Sequence, residues 1–363
     1  MKKILFVATV PEHFRYFHLP CFKMLKENGY EVHTVCGSDE AFPNTDKNFN
    51  LYIGRSPADP QNFKAIGALK RIIEEGNYDA VHCHTPMGGA VARVASRKER
   101  KKGLRVIYTA HGFHFYKGAP LMNWLIFFPI EYIMSFMTDD LITINTEDFE
   151  HGKKLLKAKR TWHVHGVGCD ITRFGKASDR DSKRKELGFS TDEKLMVYVA
   201  EQNENKNQQL LVKAVSLLSE RIPDIRLLVV GPDNIDGRYE ALAKELSAPV
   251  SFLGRREDVP DILSVCDIYA ASSLREGLPV NIMEAMASSL PVVAVDNRGH
   301  RALVENGLTG FITKADENEI ADKVEMILKD SAMYRKMSET AREKITAYST
   351  ETVLSELNKI YFN

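Results

Sequence analysis

The sequence predicts an α/β chain of two parallel-sheet domains, and three observations carry that prediction. At 363 residues the chain exceeds one typical core and suits two domains of ordinary size. Continuous β-prone apolar runs alternate with helical stretches in both halves, the pattern of βαβ units. Between the halves, residues 175 to 194 are polar and lysine-rich, as a linker would be.

Charge and cysteines narrow the class. With 49 basic against 49 acidic residues, no global field recruits nucleic acid. Five scattered cysteines (Cys21, Cys36, Cys83, Cys169, Cys266) without a Cys-x-x-Cys pair imply reduced thiols in a cytoplasmic protein and no zinc site. The basic N-terminus leads into a short apolar run stopped by Pro11, which reads as a buried first strand rather than a signal peptide.

In the first half, Ile4 to Val10 reads as a strand, Phe17 to Asn28 as a helix ending at Gly29, and Glu31 to Cys36 as the next strand. The loop from Thr9 to Phe17 lacks the Gly-x-Gly-x-x-Gly fingerprint, which argues against an NAD or FAD enzyme. A loop at a parallel strand's carboxyl end is where ligands bind, so Glu12, His13 and Arg15 are either acceptor contacts or an exposed polar loop. Ile66 to Glu75 is a helix. Asp79 to Gly89 is a strand entering a glycine turn, and Gly88 and Gly89 there let substrate approach the backbone. His82 and His84 share a strand face but find no third ligand at suitable spacing, so they read as partly buried polar residues rather than a metal site. Val106 to Gly118 is a strand with a histidine and glycine loop, Asp140 to Asn145 another strand, and Thr146 to Leu156 a helix.

Arg97 to Arg105 is the one dense basic run, and Leu121 to Met137 carries a single charge, Glu131. The apolar segment is short for a membrane span and broken by Pro129. It suits peripheral contact with an anionic bilayer; the other reading is a buried domain helix beside a solvated helix end.

In the second half, Lys194 to Ala200, Arg226 to Val230, Asp267 to Ala271 and Pro291 to Val295 read as strands. Asn207 to Ser219, Arg238 to Leu246, Glu317 to Leu328 and the segments from Ser331 and Thr350 read as helices. Asp179 and Asp181 form an Asp-x-Asp, read as a solvated coincidence in the linker. The chain is organised around Ser273 to Ala287, where Gly277 and Leu278 turn into a helix, Val280 to Ala287, with Pro279 comfortable at its start. Backbone N–H groups from Gly277 to Asn281 and the positive dipole end favour a phosphate. Glu276 and Glu284, seven residues between them, are placed for the two ends of an elongated ligand such as a nucleotide diphosphate sugar.

This pattern resembles the glutamate pair of retaining nucleotide-sugar glycosyltransferases of family 4 (glycosyltransferase group 1), and the resemblance extends over essentially the whole chain. It implies the GT-B fold: two facing Rossmann-like domains with a cleft between them. Residues 1–172 would bind acceptor, 173–348 would bind the nucleotide sugar, and 349–363 would form a helix crossing back to the first domain. By the same resemblance His111 lies at the sugar end of the donor site, and His114 and Tyr116 are acceptor contacts or loop packing. Glu276 holds sugar hydroxyls, Glu284 the ribose diol, and Lys206 with the turn Gly277, Leu278, Pro279, Val280 and Asn281 the diphosphate. Main-chain groups from Leu253 to Arg255 read a uracil-like base. Gly168-Cys-Asp170 takes the hinge position, and Arg298-Gly-His300 replaces the family's Gly-Gly-x-Pro.

Glu201 departs further, standing where the family usually has an arginine. Either it points away or binds a sugar hydroxyl, with Arg255 or Arg256 supplying charge, or catalysis is impaired. The implied activity is retaining, metal-independent transfer of an N-acetylhexosamine or hexose from a UDP-sugar to a lipid-linked saccharide in capsule or exopolysaccharide synthesis. No cofactor is implied, and the expected location is cytoplasmic, peripheral at the inner face of the cell membrane. A nucleotide-sugar epimerase or hydrolase, or a non-catalytic acceptor-binding subunit, are the alternatives.

Overall fold

Buried runs of Val, Ile, Leu and Phe build two all-parallel sheets in this computed structural model, which describes residues 1–362. Asn363, the last residue of the expected crossing segment, lies outside them. The chain divides into two units: Met1–Gly168 together with the segment from Thr350, and Cys169–Ser349. In the first unit the strands are β1 (Lys3–Val7), β2 (Glu31–Cys36), β3 (Lys47–Asn50), β4 (Ala80–His84), β5 (Arg105–Ala110), β6 (Asp140–Thr143) and β7 (Arg160–His163). Their order is β3-β2-β1-β4-β5-β6-β7. The second unit holds β8 (Lys194–Val199), β9 (Ile225–Val230), β10 (Val250–Gly254), β11 (Ile268–Ala271), β12 (Val292–Val295) and β13 (Gly310–Thr313), in the order β10-β9-β8-β11-β12-β13. The order reverses between β1 and β4, and again between β8 and β11. Loops leaving the carboxyl ends of such a pair diverge to opposite sides and leave a crevice for ligand.

Four expectations need correction. Thr9 to Phe17 is not a loop: Pro11 at the first turn starts a helix, Pro11–Phe17, which breaks at His18 before a second helix, Leu19–Glu27. Strands β3, β7 and β13 went unread. All three lie at sheet edges, where one side needs no apolar cover, so Lys47-Asn-Phe-Asn50 and Arg160-Thr-Trp-His163 carry no continuous apolar signal. His82 and His84 are fully rather than partly buried, at 2% and 0% exposure. Residues 175 to 194 are not a solvated linker. Asp179 caps the helix Arg180–Glu186 by accepting from the Ser182 N–H at 3.0 Å.

From that helix Arg184, 1% exposed, enters the second unit's interior. Its guanidinium donates to the carbonyls of Val265 (2.9 Å), Thr191 (2.9 Å) and Glu193 (2.7 Å) and to Asp267 Oδ2 (2.8 Å). A buried charge is tolerable there because every donor direction is filled.

The basic run is also largely spoken for. Lys98 pairs with Glu74, Arg100 with Asp139, Lys102 with Glu99 and Arg105 with Asp140. The apolar segment forms the helix Leu121–Ser135. Trp124, Phe127, Phe128 and Tyr132 pack inward, while Leu121, Met122, Leu125, Ile126 and Ile133 are exposed. Among the described residues no helix is long and apolar enough to cross a membrane. The last helix, Thr350–Phe362, packs within the first unit: Tyr361 hydroxyl meets His82 Nδ1 at 2.5 Å, and Arg105 donates to the Ile360 carbonyl at 2.6 Å.

Replacing Arg184 by alanine strands Asp267 as a buried, partly unpaired charge. Equilibrium urea unfolding of Arg184→Ala is expected to show a loss of about 3–5 kcal/mol; a loss under about 1 kcal/mol would contradict this packing.

Candidate active site

In the second unit the site is assembled from the loops after β8 and β11, the pair at the order reversal. Backbone and side-chain bonds join the two loops: Leu274 N–H donates to the Asn205 carbonyl (2.8 Å), Asn205 Nδ2 to the Arg275 carbonyl (3.1 Å), and Ser272 Oγ to the Lys206 carbonyl (2.7 Å). This framework brings Lys206 Nζ to Glu276 Oε1 at 2.6 Å, with the two side chains 20% and 15% exposed. Beneath them the buried Tyr198 hydroxyl bonds Ser273 Oγ at 2.6 Å.

Helix Val280–Ala287 begins immediately after this loop, with Pro279 as its extended N-cap. Gly277 and Leu278 form the turn, as the sequence predicts, whereas Pro279, expected in the first helical turn, stands just outside it. Asn281 is committed to the framework: its Nδ2 donates to the Val199 carbonyl at the end of β8 (2.7 Å), and its Oδ1 accepts from the Ile282 N–H (2.9 Å). Glu284 lies about 6 Å further along the axis than Val280. Burial pushes its carboxyl up to about 7, against a smaller opposing pull from Arg173.

A third loop, after β12, was read by resemblance at Arg298-Gly-His300, but its bonds to the Glu276 loop were not. Asn297 caps the short helix Arg298–Leu303 and donates to the Ser273 carbonyl at 2.8 Å. Arg298 Nε donates to the Glu276 carbonyl at 3.4 Å. Gly299 packs so closely that a Cβ there would lie 2.8 Å from Glu276 Cβ. The available signal was the Asn297-Arg-Gly-His sequence itself, an N-cap residue followed by a glycine.

Glu201 follows β8, but its Oε2 accepts from Asn234 Nδ2 at 2.9 Å, which ties the carboxylate to the loop after β9. Arg256 pairs with Asp258 at 2.5 Å. Leu253 and Arg255 stand at the end of β10, two strands and about 10 Å from β8. The guanidinium bonded to the Glu276 loop is therefore that of Arg298, which sequence spacing did not nominate as a source of charge.

In the first unit, the carboxyl ends of β1, β4 and β5 gather His13, His18, His84 and His111. One ring nitrogen from each lies within 4.8 Å of the other three. Spacing along one strand offered His84 no further ligand; the fold supplies three from other elements. His111 Nε2 is 3.4 Å from His84 Nδ1, and the His13 and His111 rings meet edge-on at 4.6 Å. Burial lowers His13, His18 and His84 well below the ordinary imidazole value and His111 to about 4. Thr85, next to His84, has φ +63°, a left-handed backbone that is costly for a β-branched residue.

The other acceptor candidates are more peripheral. Glu12 is exposed, and Arg15, also exposed, pairs with Glu40. His114 stacks on Phe127 at 4.4 Å. With Tyr108, Phe113, Ile130 and Glu131 it borders a largely apolar cavity of about 540 Å³.

Two all-parallel sheets with a lysine, a glutamate and a helix start at the second sheet's order reversal define a GT-B glycosyltransferase. Residues 3–145 match the family model for glycosyl transferase 4-like proteins, and residues 179–344 match glycosyl transferases group 1. The chain is 43% identical to EpsD of Bacillus subtilis (strain 168), a glycosyltransferase by name, over 99% of this chain and 96% of the relative. It is 26% identical to the Escherichia coli UDP-Gal:alpha-D-GlcNAc-diphosphoundecaprenol alpha-1,3-galactosyltransferase, over 89% of this chain and 86% of that enzyme. The crystal structure of Anabaena HepE in complex with UDP and glucose superposes with a TM-score of 0.79 at 19% identity, covering 99% of both chains. The chain belongs to the group 1 glycosyltransferases.

Burial of Glu284 has a measurable cost. The unfolded chain releases this proton near pH 4.5 and the folded protein near 7, so stability falls as pH rises from about 4.5 to about 7 and stays reduced above. Glu284→Gln is therefore expected to be more stable than the parent at pH 8, by up to about 3 kcal/mol, with the difference vanishing near pH 4.5. Urea unfolding at the two pH values tests this; equal stabilities at pH 8 would refute it.

Proposed function

We propose that this protein transfers a hexose or N-acetylhexosamine, with retention of configuration, from a UDP-sugar to a lipid-linked saccharide, and that the diphosphate is held without a metal. The observation that carries the reading is the Lys206–Glu276 pair at 2.6 Å beside the start of the helix Val280–Ala287. One short stretch thus offers a cation, an acceptor for sugar hydroxyls and a positive helix end.

In this reading Glu276 exchanges its contact with Lys206 for donor-sugar hydroxyls, and the freed ammonium turns to the β-phosphate. Lys206 and the helix start then stabilise charge as the sugar–phosphate bond breaks. The departing phosphate oxygen takes the acceptor hydroxyl's proton on the face it leaves, so no protein nucleophile is required. Glu284 accepts from the ribose diol, whose hydroxyl donors favour its ionised form. Arg298 adds charge that Glu201 does not, and the Asn234 contact keeps the Glu201 carboxylate occupied. That arrangement favours an active transferase over a non-catalytic subunit. His111 belongs at the sugar end of the donor, as its family position implies.

Relatives support the choice of substrates. UDP is the nucleotide bound by HepE, and the E. coli relative is named for UDP-Gal and a diphosphoundecaprenol-linked acceptor. The exposed apolar side chains of Leu121–Ser135 support peripheral membrane contact, through apolar insertion more than charge, because four cations of the neighbouring basic run are already paired.

Nucleotide release from UDP-, GDP- and ADP-sugars, with and without membrane extract containing lipid-linked saccharides, tests the reading. Acceptor-dependent release from one UDP-sugar is expected, with losses of roughly 100-fold or more in Glu276→Ala and Lys206→Ala. Release without acceptor would instead identify an epimerase or hydrolase. Gly299→Ala is expected to lower turnover at least tenfold with the fold intact, because its Cβ must displace the Glu276 loop; unchanged turnover would remove that loop from the site.

A further inference from the structure

Four histidines from separate elements converge in the first unit. His13 lies on the helix Pro11–Phe17, His18 at the break before the next helix, His84 at the end of β4, and His111 just past β5. His13, His18 and His84 are each at most 9% exposed, and among the described residues the Nε2 atom of each is buried without a hydrogen-bond partner, while His84 Nδ1 faces His111 Nε2 at 3.4 Å. Neutral imidazoles carry one donor and one lone pair, and leaving such atoms dry and unmatched is unfavourable.

Neighbouring His82 shows how the same sheet treats an ordinary buried histidine. It is 2% exposed, its Nδ1 meets the Tyr361 hydroxyl at 2.5 Å, and its Nε2 meets Thr109 Oγ1 at 2.8 Å. Both nitrogens are matched. The four converging rings instead face one another.

We propose that His13, His18, His84 and His111 form a binding site for one Zn²⁺-class transition-metal ion, tying together the loops after β1, β4 and β5. Four points no more than 4.8 Å apart fit within a sphere of radius about 2.9 Å. Zn–N bonds are about 2.0–2.1 Å, so each ring needs to close by under about 1 Å to reach tetrahedral coordination. If His84 binds through Nδ1, its 3.4 Å separation from His111 Nε2 is close to the tetrahedral edge of about 3.3 Å that those bonds require. All-imidazole ligands suit Zn²⁺, Co²⁺, Ni²⁺ and Cu²⁺ and disfavour Mg²⁺ and Ca²⁺, which take oxygen ligands. His111 is also the residue that the proposed transfer places at the sugar end of the donor, so the test reads metal binding directly and not turnover.

The test uses the full-length chain, stripped with chelator and titrated with Zn²⁺ or Co²⁺. Expected are one Zn²⁺ per chain at micromolar or tighter affinity, a thermal midpoint raised by several degrees, and Co²⁺ absorption of tetrahedral intensity. X-ray absorption of the Zn²⁺ form should give nitrogen-only neighbours at about 2.0–2.1 Å. His18→Gln and His84→Gln should each weaken Zn²⁺ binding at least tenfold, whereas His163→Gln, outside the cluster, should bind as the parent does. The wild-type Co²⁺ and X-ray measurements decide the matter even if either cluster variant fails to fold. Absence of stoichiometric Zn²⁺ binding, or binding that survives in folded His18→Gln and His84→Gln, would overturn the proposal; so would sulfur or oxygen neighbours at the metal.

Discussion

Parallel strand pairing is the constraint from which the sites follow. When every strand runs the same way, all carboxyl ends share one edge of the sheet, and each chain segment must leave that edge before crossing back. At β1/β4 and at β8/β11 the segments depart to opposite sides, opening a crevice without any specialised residue. What the sequence then adds is the lining. Lys206 and Glu276 lie beyond β8 and β11, and the histidines lie at or beyond the ends of β1, β4 and β5. Placement comes from topology, and chemistry from the few side chains that topology exposes there.

Rigidity in the second unit has a similarly local origin. The Glu276 loop has no regular secondary structure, so its geometry rests on Asn205, Ser272, Asn297 and Arg298 bonding its backbone or that of its neighbour loop. The Lys206–Glu276 contact neutralises two groups in a half-buried setting until a ligand can take over their interactions. Among the described residues Glu284 has no ion-pair partner as close, and burial, opposed only weakly by Arg173, raises its carboxyl to about 7. A ligand hydroxyl would compensate that desolvation, so a feature unfavourable for folding becomes favourable for binding.

How much of this was legible depended on whether the signal was local. Central strands β1, β8, β9, β11 and β12 are largely apolar and were readable; β2 and β4 were too, although they carry His33, His82 and His84, as was the helix Val280–Ala287 with Pro279 before it. Edge strands β3 and β7 were not, because a strand flanked on one side only can carry Lys47, Asn48 or Arg160. Arg184 looked like one more charge in a polar stretch. Its burial is decided by three carbonyls and Asp267, some of them about eighty residues distant. Glu201 was legible as a departure from the family, but its engagement with Asn234 depends on the loop after β9.

The histidines show the limit most clearly. His82 and His84 are two residues apart on one strand and equally deep, and nothing in the local sequence separates them. Their difference lies in what reaches each ring: Thr109 and the C-terminal Tyr361 satisfy the first, whereas His13, His18 and His111 surround the second. Burial by itself therefore does not distinguish a packed histidine from a ligand. The distinction lies in whether distant elements bring hydroxyls that complete its hydrogen bonds, or more imidazoles whose lone pairs have the same need. In this fold the second outcome occurs where the strand order reverses, so the packing that leaves those nitrogens unmatched also collects them within reach of a single ion.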